Sequence, residues 1–218
     1  MTHVRDRSTV QATEDRPTGP GPKPEYDWVV LVDAHDHETG TAGKLAAHQF
    51  PGQRHRAFSV FIQDGDGRLL LQQRARTKYH FGGRWTNTCC SHPRPGEGIL
   101  VAARRRLRDE MGLDRIELAE VGVFEYRAHD LASDLVEHEL DHVIFGHCDD
   151  TPRPNPEEAA DHAWCGVDEL VSRLESEPDT FTPWLRPALD IFLATRIPVV
   201  SRGQVSESSS VSAATWSA

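Results

Sequence analysis

Apolar residues gather along this chain into short runs separated by Gly-, Pro- and Asp-rich breaks. "WVVLVD" (28–33) is one such run and predicts a strand. In "AFSVFIQDGDGRLLLQQR" (57–74) two apolar runs flank an Asp-Gly turn, which predicts a β-hairpin. "GGRWTNTCCSHP" (82–93) passes from a glycine turn into a short extended segment, stopped by Pro93 and Pro95. The clearest helix is "GEGILVAARRRLRDEMGLD" (96–114). There Ile99, Ala103 and Leu107 recur at i, i+4 and i+8, Leu100 and Met111 widen the stripe, and Gly112 ends it. "ELDHVIFGHC" (139–148) predicts a strand, and 167–175 and 184–196 predict helices. Strands and helices mix without regular β-α-β alternation, so the expected class is α+β, a mixed sheet flanked by helices.

Composition bounds this picture. The 218 residues suit one domain, expected over 26–198. A polar, proline-rich segment (1–25) and a serine-rich one (199–218) are expected to be disordered tails. A formal charge of −10 disfavours nucleic acid and anionic membranes as partners but leaves room for a local basic pocket. No long apolar run predicts a membrane span, and Asp6, Glu14 and Asp15 argue against a transit peptide, so the expected location is the cytoplasm. The four cysteines, Cys89, Cys90, Cys148 and Cys165, form no C-x-x-C pair, which argues against a disulfide framework or a four-cysteine zinc site. Cys148 and Cys165 read as small buried hydrophobes.

Three groups of residues carry candidate chemistry. The first is His48, His55, His92, Glu137 and Glu139. Glu137 and Glu139 sit two apart at the entrance to a strand and share a face, as do Cys90 and His92 in their extended segment. His48 and His55 flank a loop containing Pro51-Gly52 and can close on a common point. Three imidazoles and two carboxylates suit Mn²⁺, Zn²⁺ or Fe²⁺, although twelve histidines also produce such groupings by coincidence. The second group is cationic: Lys44, Arg74, Lys78 and Arg106. Singly these are ordinary surface charges; around one pocket they would grip a di- or triphosphate.

The third group lies on the helix. From Ser91 to Leu113 the spacing follows G-x5-E-x7-R-E-U-x-E-E-x-G-U (U aliphatic), with Glu97, Arg105, Leu107, Glu110, Gly112 and Leu113 in place. The chain thus resembles the Nudix superfamily, which implies an α/β/α sandwich around a mixed sheet. Its departures are Ser91 for the first glycine, Arg106 for a glutamate and Asp109 for another. Arg106 reverses a charge where a pyrophosphohydrolase would hold its metals, which sets the alternative reading, a hydrolase of nucleoside diphosphate derivatives, at a disadvantage.

Further stretches narrow the resemblance: "GKLAAH" (43–48), "RHRAFSVFI" (54–62), "LLLQQRARTKYHFGGRWTNTCCSHP" (69–93), "EYRA" (125–128), "EHE" (137–139) and "FTPW" (181–184). Together they resemble the type 1 isopentenyl-diphosphate Delta-isomerases. That resemblance implies interconversion of isopentenyl and dimethylallyl diphosphate through a tertiary carbocation, supplying isoprenoid biosynthesis. It implies one Mn²⁺ (or Zn²⁺ or Fe²⁺) on His48, His55, His92, Glu137 and Glu139. It further implies one Mg²⁺ held with the substrate diphosphate by Glu110 and the carbonyl at Cys90. The same resemblance makes Cys90 and Glu139 the catalytic pair with Tyr126 assisting. Lys44, Arg74, Lys78 and Arg106 become diphosphate ligands, and Trp184 a wall of the prenyl pocket. Strand alternation sends Cys89 to the face opposite Cys90, as packing. Which of Cys90 and Glu139 is acid and which base stays open, as does the oligomeric state.

Overall fold

The computed structural model describes residues 28–195, so the two tails and the outermost domain bounds lie outside the described residues. An antiparallel pair, β1 (Trp28–Val32) and β2 (Glu38–Gly43), leads into a short helix α1 (Lys44–His48). The long strand β3 (His55–Gln63) turns into β4 (Leu69–Arg74). After the brief strands β5 (Trp85–Thr86) and β6 (Cys89–Ser91) comes α2 (Ile99–Met111). Two thirteen-residue strands, β7 (Leu118–Asp130) and β8 (Leu135–His147), form a second hairpin. β9 (Ala159–Cys165), α3 (Val167–Ser176), a 3-10 turn (Pro178–Thr180) and α4 (Leu185–Ala194) follow.

The sheet is mixed. β3 runs parallel to β8 over nine residue pairs, while its other pairings are antiparallel. Its two faces are covered by different helices, as expected for an α/β/α sandwich. Phe58, Val60 and Ile62 of β3 and Ile144 of β8 pack against Ala103, Leu107 and Met111 of α2. Phe61 of β3 and Val143 and Phe145 of β8 pack against Leu185, Leu189 and Phe192 of α4 and Leu170 of α3. Both faces of β3 and of the second half of β8 are therefore buried, which is why "AFSVFI" and "VIF" read as mostly apolar runs.

The predicted hairpin over 57–74 forms but splays immediately. β3 and β4 pair only at Gln63 and Leu69, and the chain 85–91 is wedged between them. Trp85 and Thr86 pair with β4, and Cys89 to Ser91 with β3. In the gap, side chains replace the missing ladder. The Thr88 hydroxyl donates to the Leu70 carbonyl (2.6 Å) and accepts from the Ile62 amide (2.9 Å), bridging the two strands. Asn87 donates to the carbonyls of Val60 (3.2 Å) and Cys89 (2.7 Å). Thr86, Asn87 and Thr88 are fully buried, so each polar atom without such a partner would cost free energy.

Three expectations are corrected. Glu137 and Glu139 lie within β8, which starts at Leu135 rather than 139. Strands β2, β7 and β9 carry too many Gly, Thr, Glu, Ala and Asp residues to stand out as apolar runs. Cys148 is only half-buried just past β8, whereas Cys165 is buried as expected.

Helix α2 ends as predicted at Gly112, whose φ of 64° is left-handed. A Cβ there would lie 2.9 Å from the Arg153 carbonyl oxygen. Gly112→Ala is therefore expected to destabilise the protein by at least ~1–2 kcal/mol, read as a lower urea midpoint with an unchanged slope.

Candidate active site

The wedge and β8 bring the site together. Ser59 of β3 pairs with Cys90 of β6, and His55 of β3 pairs with Glu139 of β8. Cys90, Ser59, His55 and Glu139 therefore share the α4 face of the sheet, and alternation adds Glu137 and Asp141 along β8. Cys89 pairs with Val60 and points the opposite way, fully buried against α2. The adjacent thiols thus go to separate faces, as expected.

His48, His55, His92, Glu137 and Glu139 each offer one donor atom, and these atoms lie within 4.8 Å of one another. His48 comes from the end of α1, His55 from the start of β3, and His92 directly follows β6. His48 Nδ1 meets the Lys44 carbonyl at 2.7 Å, and His55 Nδ1 meets the Gln53 carbonyl at 2.8 Å. A carbonyl can only accept, so both Nδ1 atoms carry the proton and both Nε2 lone pairs face inward in the neutral rings. There His55 Nε2 lies 3.1 Å from His92 Nε2, which lies 2.7 Å from Glu139 Oε1. His48 Nε2 lies 2.9 Å from Glu137 Oε2, yet both atoms are buried without an aligned hydrogen-bond partner.

Such a set of facing electron-pair donors fits a divalent metal ion better than it fits a hydrogen-bond network. The titration tendencies agree for His92 and the two glutamates, whereas at His48 burial is outweighed by Glu137 and the value is raised. Burial lowers His92 to about 3 despite the opposing Glu139, keeping the ring neutral. Burial pushes both glutamates upward, but the imidazoles around them win and hold both below the ordinary carboxylate range.

The oxygens not facing the imidazoles are held from outside. The Tyr126 hydroxyl donates to Glu139 Oε2 at 2.5 Å, because Tyr126 of β7 is the register partner of Glu139. Burial and then Glu139 raise the Tyr126 value, so the phenol stays protonated. Asp141 accepts from the Ser59 hydroxyl at 2.8 Å and is raised by burial and by Glu139. Burial also raises the Cys90 thiol to about 12, against the pull of Arg74, whose Nη1 lies 3.6 Å from the sulfur.

Cys90, Glu137, Glu139, Tyr126 and Trp184 line one inner cavity of about 50 Å³. It adjoins an outer one of about 610 Å³, and Lys44, Lys78 and Arg106 line both. Arg74 lines only the inner one of these two, with its guanidinium 5.3 Å above the Trp184 ring. Glu110 lies on α2, buried against Arg106 (2.8 Å) and Gln72 (3.1 Å). Arg106 also pairs with Glu158 at 3.0 Å, and Glu158 pairs with Lys78. Glu97 and Arg105 pair at 2.7 Å at the helix entrance, and Asp109 is exposed.

Cys90, His92, Glu137, Glu139, Tyr126, Trp184, Lys44, Arg74, Lys78 and Arg106 therefore line this cleft, His48 and His55 join it through the five-residue cluster, and Glu110 lies behind Arg106. Sequence reasoning missed His80, which pairs with Glu137, and Glu158. Neither has a periodicity to mark it: His80 lies within the family-like stretch 69–93 without being singled out there, and Glu158 lies in a polar loop.

Comparisons with known proteins follow the same outline. Residues 53–185 match the NUDIX domain model. "Isopentenyl-diphosphate Delta-isomerase 2" of Aromatoleum aromaticum is 51% identical over 170 residues, covering 78% of this chain and 88% of the relative. "Isopentenyl-diphosphate Delta-isomerase" of Nocardia farcinica is 48% identical over 163 residues, 75% of this chain and 93% of the relative. A crystal structure from Deinococcus radiodurans superposes with a TM-score of 0.62 at 17% identity, covering 76% of this chain and 99% of that one, which shows the shared fold.

Glu158 supplies a pH test. Burial would raise its carboxyl, but Lys78 and Arg106 hold it at about 2. A carboxylate depressed on folding stabilises above its ordinary value of about 4.3 and loses that contribution as pH falls toward the folded value. The destabilisation caused by Glu158→Gln at neutral pH is therefore expected to shrink as pH is lowered from about 5 toward 3, measured by denaturant titration without substrate.

Proposed function

The chain belongs to the NUDIX family and, within it, to the isopentenyl-diphosphate Delta-isomerases, and we propose that Cys90 and Glu139 perform the proton transfers of that reaction. The observation that carries this reading is the shared inner cavity of Cys90, Glu139, Tyr126 and Trp184, opening toward Lys44, Lys78 and Arg106.

An alkene is a very weak base, so isomerisation needs a positioned proton donor and a positioned acceptor. One proton is added to the terminal carbon of isopentenyl diphosphate, giving a tertiary cation. One proton is then lost from C2, giving dimethylallyl diphosphate. The donor is left one proton short and the acceptor one proton richer, and reversal exchanges the two roles. Cys90 Sγ and a Glu139 oxygen are the two groups assigned here, with the Tyr126 hydroxyl supporting Glu139. Trp184 offers its ring to the developing cation, and the surrounding burial excludes water that would quench it.

His48, His55, His92, Glu137 and Glu139 would hold one Mn²⁺, Zn²⁺ or Fe²⁺, and Glu110 would hold a Mg²⁺ that arrives with the diphosphate. A divalent ion bound to Glu139 makes a proton on that carboxyl more acidic. Lys44, Arg74, Lys78 and Arg106 would grip the diphosphate, and Arg74 also contacts the thiol and the indole. Arg106, paired with Glu110, replaces an acid of the pyrophosphohydrolase motif, which supports isomerisation over hydrolysis. The partner is a small prenyl diphosphate, whose product enters isoprenoid biosynthesis. Four free thiols suit a reducing compartment, and the assigned location is the cytoplasm.

Isopentenyl diphosphate incubated with the protein in deuterated water is expected to yield deuterated dimethylallyl diphosphate without phosphate release. Phosphate release without deuterium uptake would sink the reading. Cys90→Ala is expected to lower turnover by about 100- to 10,000-fold. Cys89→Ala should leave most of it, and the reverse order would show the thiols misassigned. Arg106→Ala is expected chiefly to raise KM.

A further inference from the structure

The two glutamates of β8 present the same division of labour. Each turns one oxygen toward the imidazoles, Oε2 of Glu137 and Oε1 of Glu139. Each has its second oxygen taken by a donor outside the five-residue cluster: Tyr126 for Glu139 and His80 for Glu137. The sheet explains the first donor and not the second. In the β7–β8 register Tyr126 lies opposite Glu139, but Ala128 lies opposite Glu137 and has no polar group to offer. His80 reaches Glu137 from the loop between β4 and β5.

We propose that His80 is a positioning residue of the metal centre: by donating from Nε2 to Glu137 Oε1 it fixes Oε2 as the oxygen that faces the imidazoles and so sets the affinity for a divalent ion. The inference rests on the metal reading above.

Three features favour this over simple packing. His80 is buried and fixed along its backbone, with its carbonyl accepting from Arg74 Nη2 at 3.2 Å. The next amide, Phe81 N, donates to Asp130 at 3.0 Å. Phe81 itself has a φ of 48°, a region that bulky residues rarely adopt, so the loop is held where its own backbone preference would not put it. Finally, His80 Nδ1 is buried without a hydrogen-bond partner. An unpaired buried nitrogen is a cost, and the Nε2 contact is the polar role the ring performs. Outer partners of this kind hold a carboxylate or imidazole in its binding orientation, and their loss typically weakens metal affinity 10- to 100-fold.

The test measures Mn²⁺ binding to the full chain by competition with a chromophoric chelator, together with thermal unfolding of the metal-free proteins. His80→Ala is expected to weaken Mn²⁺ binding by about 10- to 100-fold. His80→Gln, whose amide can donate from a similar position, is expected to recover most of that loss. Unchanged Mn²⁺ affinity in His80→Ala, with or without a lower unfolding temperature, overturns the proposal. Equal weakening in the Ala and Gln variants does so too, because donation would then not be the cause. A parent chain that takes up none of Mn²⁺, Zn²⁺ and Fe²⁺ in the same assay would defeat the metal reading itself, an outcome distinct from either.

Discussion

Five electron-pair donors crowded into a buried space within 4.8 Å of one another are the constraint around which this molecule is arranged. Backbone carbonyls claim the Nδ1 protons of His48 and His55, so hydrogen bonding among the inward atoms cannot satisfy them all. A divalent ion would resolve that conflict, and much of the surrounding structure holds the donors still. Two sheet registers place Glu139 between His55 and Tyr126. The end of α1 delivers His48, and the segment after β6 delivers His92.

The splayed hairpin does the corresponding service for the thiol. With Thr88 bridging β3 and β4, the segment 89–91 can join the sheet interior, and its alternation separates two adjacent cysteines into distinct environments. One thiol is packing under α2; the other faces Glu139, Tyr126 and Trp184. Within the same cleft, Arg106 and Lys78 are counterbalanced by Glu110 and Glu158. These pairs neutralise two of the cations that line the cleft of an acidic protein.

The sequence disclosed the parts with strong periodicity or rare composition. Helix α2 showed itself through the stripe of Ile99, Ala103 and Leu107 and the stop at Gly112, and β3 and the second half of β8 through mostly apolar runs. The cluster of imidazoles and carboxylates was visible as a set, but its convergence depended on registers that no local pattern encodes. β7 stayed hidden because Glu120, Glu125, Arg127 and His129 break up its apolar positions and, past Leu118, its inward residues are only half-buried. His80 stayed hidden because its partner, Glu137, is fifty-seven positions further along (137 − 80 = 57) and the loop joining it to the sheet has no periodicity.

The central claim is that the imidazoles of 48, 55 and 92 and the carboxylates of 137 and 139 surround one ion on the thiol side of the sheet. Anomalous diffraction from crystals grown with Mn²⁺ addresses it directly. One strong peak enclosed by those five side chains and no other histidine cluster is the outcome this account requires. A peak elsewhere with the cluster vacant, or imidazoles turned away from one another, would contradict it.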